Sequence, residues 1–125
     1  MRADCRVFIL GLAIAAASGA FANAAPTITR LKPDEIQKSF FNGQSFTVST
    51  LSDVKFTMTF TPDGKVTRQP VGKSGAKGEG TWALVSNGFC TTWKGAKSNC
   101  FVVLISGENK WSVMKGSGVM AVWSK

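Results

Sequence analysis

The sequence predicts an all-β fold, an antiparallel meander of about eight short strands forming a small barrel or curled sheet, with one short N-terminal helix. Three observations carry that expectation. Apolar and polar side chains alternate with a period of two between Ser45 and Phe60, as in strands with one dry and one wet face. Turn-forming residues then recur at short intervals to the C terminus. Cys90 and Cys100 stand symmetrically about Gly95, as opposite partners in a hairpin would.

The N terminus has a different character. Arg2 and Arg6 form a short positive head, Val7 to Ala17 is an unbroken apolar run, and Ala22-Asn23-Ala24 offers an A-x-A cleavage site. These are the three regions of a secretory signal in their order. The run of 11 residues falls short of the roughly 20 that a bilayer-spanning helix needs. Residues 1–24 are therefore expected to be a signal peptide, cut after Ala24 or, as the lesser alternative, after Ala22. Cys5 would leave with it, and the mature protein would be periplasmic or secreted. Residues 25–125 then form a single β-domain, long enough for one core. Its thirteen Lys and Arg against six Asp and Glu give a net charge of +7.

Pro33-Asp34-Glu35 opens the predicted helix, with proline at a first helical position and two carboxylates where the helix dipole favours them. Ile36 and Phe40 share one face and Gly43 suits the stop, so the helix is expected over Pro33 to Phe41, packed on something larger. Strands follow at Gln44–Leu51 and Val54–Phe60, and Pro62-Asp63-Gly64 turns the chain into a partner at Lys65–Gln69. Gly72 to Gly80 has no apolar period and is expected to be a mobile loop. Further strands are expected at Thr81–Val85, Phe89–Lys94, Cys100–Ile105, Lys110–Lys115 and Val119–Ser124. Phe101 to Ile105 is apolar at every position, which predicts cover on both faces. Closure into a barrel would remove exposed edges, and the helix would plug or cover one end.

The two mature cysteines, in a compartment that permits disulfides, are expected to bridge. Two thiols without histidine fall short of a four-ligand zinc site, and the C-x-x-C spacing of redox pairs is absent. No metal or cofactor is expected.

Gly80-Thr81-Trp82, Cys90-Thr91-Thr92-Trp93 and Cys100-Phe101, together with the Phe60-to-Gly64 turn, resemble the pattern of small exported proteobacterial proteins in a β-domain family of unknown function. The likeness runs from about Leu31 to Trp123 and implies export and a compact β-domain, with no activity attached. Gly80-Thr81-Trp82 also resembles the G-x-W of lipocalins, where the motif lies on the first strand; here about three strands precede it.

The chain has no His, which removes the commonest general base and all Ser-His and Cys-His machinery. A Ser-Lys arrangement is not excluded by composition. The six mature carboxylates, Asp34, Glu35, Asp53, Asp63, Glu79 and Glu108, open the helix or fall in turns and loops, with no sign of a glycosidase pair. Gly72-Lys73-Ser74 matches the end of a P-loop, but Thr67 occupies the place of its first glycine. The expectation is a non-enzymatic binding protein of the cell envelope.

Its candidate contacts for an anionic or amphipathic ligand are Lys65, Arg68, Lys73 and Lys77, facing anionic lipid or polysaccharide of the envelope. The plainer reading is that the charge only keeps the protein soluble. Trp82, Trp93, Trp111 and Trp123 are candidate aromatic contacts, with core packing the favoured alternative. Export argues against nucleic acid as a partner. Two other functions stand beside this one: a lipocalin-like carrier with a residual cavity, or an inhibitor or partner-binding module with a filled interior and an exposed aromatic patch.

Overall fold

The computed structural model describes residues 28–125; the expected signal peptide, its cleavage site and Cys5 lie outside the described residues. The order is α1 (Pro33–Phe40), β1 (Ser45–Thr50), β2 (Lys55–Phe60), β3 (Lys65–Pro70), β4 (Gly78–Val85), β5 (Gly88–Trp93), β6 (Ser98–Gly107), β7 (Lys110–Lys115) and β8 (Gly118–Ser124). The eight strands form a closed antiparallel barrel in sequence order, and β1 pairs β8 from Thr47↔Ser124 to Thr50↔Ala121. The expected meander is therefore a barrel, and no strand among the described residues is left as an edge.

The alternation seen in the sequence decides which side chains fill the interior. Phe46 and Val48 on β1, and Phe56, Met58 and Phe60 on β2, are buried, while their neighbours face outward. Helix α1 plugs one end. Ile36 and Phe40 are fully buried, and the Glu35 carboxylate accepts the Lys32 backbone N–H at 3.0 Å to tie down the first turn. Phe41, one residue past the helix, stacks on Phe60 with ring centroids 4.1 Å apart, while Phe40 meets Trp111 edge-on at 4.8 Å. Phe46, Phe89 and Trp123 complete this aromatic cluster. A two-turn helix has little stability alone, so this apolar face is what holds it.

The cysteine hairpin has the register expected of it. Phe89↔Phe101, Cys90↔Cys100, Thr91↔Asn99 and Thr92↔Ser98 pair symmetrically about Gly95, which takes φ +79. Cys90 and Cys100 are joined by a disulfide, with Cα atoms 3.9 Å apart.

Two expectations need correction. Gly78 to Gly80 is not loop but the start of β4, pairing with Thr67, Arg68 and Val66 on β3. A side chain on Gly80 would strike the Thr92 carbonyl, so glycine is what lets the strand pass there. Strand β6 is also longer than Cys100–Ile105. Past Phe101 it leaves β5 behind, and the segment before the helix takes over that side: Leu31 N–H donates to Val103 O at 2.8 Å and Ile105 N–H to Thr29 O at 2.9 Å. Val103 is buried inside and Leu104 half-buried, but Ile105 is exposed, so cover on both faces holds for only part of the apolar run.

Candidate functional site

In an up-and-down barrel alternate turns lie at the same end. The helix shares its end with the turns following β2, β4 and β6; the turns following β1, β3, β5 and β7 surround the other, open end. Arg68 and six lysines (Lys55, Lys73, Lys77, Lys94, Lys97 and Lys115) cluster at this open end, with Asp53 and Glu79 as its carboxylates. Three of the exposed large apolar side chains are there as well: Leu51 (73 % exposed), Val71 (60 %) and Met120 (48 %).

Of the four predicted basic contacts, the fold brings together Arg68 and Lys77, which line one hollow with Gly78, Trp93 and Lys94. Lys73 lines a separate hollow with Asp53, Lys55 and Val71, and Lys65 begins β3 at the far end of that strand. Arg68 does not project from a basic loop; it stands in register with inward-facing Met58 and with Gly78. Its guanidinium carbon lies 4.6 Å from the centre of the Trp93 ring and 5.4 Å from that of Phe56. A Cβ on Gly78 would lie 2.8 Å from Arg68 Nε, so the bare backbone makes room for the stack. The Nε–H is buried without a hydrogen-bond partner. Across the barrel, the Lys115 ammonium donates to Asn99 Oδ1 at 2.6 Å.

The tryptophans divide between the ends. Trp123 is buried, Trp111 packs on Phe40, and Trp82 leans on Phe41 while its indole N–H donates to Thr61 O at 2.9 Å. Trp93 alone of the four joins a basic side chain. Beside it an apolar cavity of about 160 Å³ runs into the barrel, with Phe101, Met120 and Val113 on its wall and Trp123 and Phe60 deeper. Lys94, Lys97, Lys115, Asn99 and Met120 were not singled out by sequence reasoning. Lys94 and Lys97 flank Gly95 in the one turn whose position the cysteine symmetry fixes, so that symmetry was the signal for them.

No protein-family model, curated protein or solved structure matches this chain. Gly80 lets the backbone of β5 pass at Thr92 and Trp93, Trp82 anchors the β2–β3 turn, and the two cysteines pin β5 to β6. Among the described residues no helix is long and apolar enough to cross a membrane, and no cluster of three or more metal-ligating side chains occurs.

Proposed function

We propose that this is a non-enzymatic, exported binding protein, periplasmic or secreted, that attaches to anionic surfaces of the cell envelope through the open end of its barrel. The carrying observation is charge asymmetry. Among the described residues, seven cations face two carboxylates at the open end, while six face four at the helix end. Leu51, Val71 and Met120 project among those lysines, a combination that suits a surface with phosphates outside and acyl chains beneath. The exposed large apolar side chains among the described residues, Ile28, Leu51, Val71, Ile105 and Met120, are all non-aromatic, which disfavours the inhibitor reading with its aromatic patch.

Vesicle sedimentation tests this. Phosphatidylglycerol vesicles should retain the mature protein and phosphatidylcholine vesicles should not. Each lysine near an anionic surface contributes about 1 kcal/mol, so changing Lys73, Lys77 and Lys97 together to Gln should weaken retention roughly a hundredfold. Lys65→Gln, at the helix end of β3, should leave it unchanged. Salt should release the protein, because the Debye length falls from about 10 Å at 0.1 M to about 3 Å at 1 M. Equal retention on both vesicles, or indifference to the triple change, would show that the charge serves solubility alone.

A further inference from the structure

We infer that the open end of the barrel is also a specific site for a small amphiphilic carboxylate, its anionic head between Arg68 and Lys115 and its apolar body in the cavity beneath. This does not depend on attachment to a surface.

Several observations converge on that site. Among the described residues, Arg68 is the basic side chain at this end with two aromatic rings against its guanidinium, Trp93 at 4.6 Å and Phe56 at 5.4 Å. Its buried Nε–H lacks a partner, and a buried donor without an acceptor is costly. None of the six carboxylates of the described residues is positioned inside the barrel; all are exposed, and Glu79 points outward between Gly78 and Gly80. The charge on Arg68 therefore meets no inward-facing carboxylate; Glu79 borders the outer hollow that Arg68 shares with Lys77. Lys115 holds a second cation on β7, four strands from β3 in a ring of eight and hence on the opposite wall. Asn99 holds that ammonium at 2.6 Å, which orders it without neutralising it.

Arg68 stands in register with Met58 and against Trp93, and both of these border an apolar cavity. Met58, Phe101, Val113 and Met120 line the cavity, with Thr91 the polar side chain among its walls. Its volume of about 160 Å³ is close to that of an engineered apolar cavity of about 150 Å³ that takes up benzene, so the buried body has room for about six carbons. A phospholipid acyl chain is too long to be enclosed. An arylcarboxylate or a short-chain fatty acid fits, and its planar carboxylate matches the edge of a guanidinium.

Calorimetric titration of the mature protein with hexanoate and with benzoate tests the site. Both should bind, whereas acetate (head alone) and hexan-1-ol (body alone) should each bind at least tenfold more weakly. Arg68→Gln should weaken hexanoate about tenfold or more, and Arg68→Lys should weaken it less. Lys115→Gln should also weaken it. On the unaltered protein, nuclear Overhauser contacts from the hexanoate chain should reach the methyl groups of Val113 and Met58, which needs no variant to fold. Absence of binding at millimolar hexanoate, acetate binding as well as hexanoate, or chain contacts confined to the outer surface would overturn the inference. Changing Lys55, Lys73 and Lys97 together to Gln separates the two readings: this variant should lose vesicles and keep hexanoate.

Discussion

Arg68 shows how much of the chemistry at the open end depends on its neighbours. A guanidinium on a strand would ordinarily be solvated, yet here Gly78 removes the side chain that would crowd it and Trp93 and Phe56 supply its surroundings. Asp63 makes the complementary case at the helix end. The Thr61 hydroxyl donates to its carboxylate, the Lys65 backbone N–H adds a longer bond at 3.3 Å, and these hold its pKa below the ordinary value. A depressed carboxylate stabilises the fold above its unfolded pKa of about 3.9, and that contribution disappears as pH falls through the folded value. A carboxyl NMR titration should accordingly place the Asp63 midpoint below about 3.9, and Thr61→Val should move it back up. A midpoint unchanged by Thr61→Val would assign the shift to the backbone. The Thr61-Pro62-Asp63-Gly64 turn was legible in the sequence because its residues act on one another locally. The Arg68 stack was not, because Phe56, Gly78 and Trp93 come from three different strands.

Among the elements, the β5–β6 hairpin carries the clearest test. The disulfide closes a short loop on the wall of the barrel, with Cys100 exposed and Cys90 half-buried, and Phe89 and Val103 hold the interior face independently of it. Chain entropy puts its contribution at about 2–3 kcal/mol for so short a loop. Changing both cysteines to Ser should therefore lower the melting temperature by about 10–20 °C while far-UV circular dichroism stays that of a β-protein. Loss of the fold would mean that the hairpin cannot find its register unaided. That register was readable beforehand because two cysteines and one glycine define a midpoint. The start of β4 was not readable, because Gly78 and Gly80 are set by what crosses them, the Arg68 side chain and the Thr92 carbonyl, rather than by strand propensity. Helix α1 was legible from its proline, its carboxylates and its Ile36–Phe40 spacing, though the strand-like pairing of Thr29 to Leu31 beside β6 left no local trace.

For the whole molecule, export is the expectation that conditions the rest, since a disulfide persists in an oxidising compartment. N-terminal sequencing of the exported protein should begin at Ala25; retention of Met1 would remove the basis for that compartment. The sequence by itself determined the all-β class, the number and order of the strands, the helix and the cysteine pair. Each of these is written in contacts near in sequence: period-two alternation, turn residues, a short hairpin. Tertiary structure decided that the sheet closes, that Arg68 turns inward while Lys65 stands at the far end of its strand, and that Lys94, Lys97 and Lys115 join one basic rim. It also decided that an apolar cavity remains beneath that rim. The physical reason is closure: β1 meets β8 across the whole domain, and only then do alternate turns converge on one end and concentrate charges that the chain itself spreads over some sixty residues, from Lys55 to Lys115.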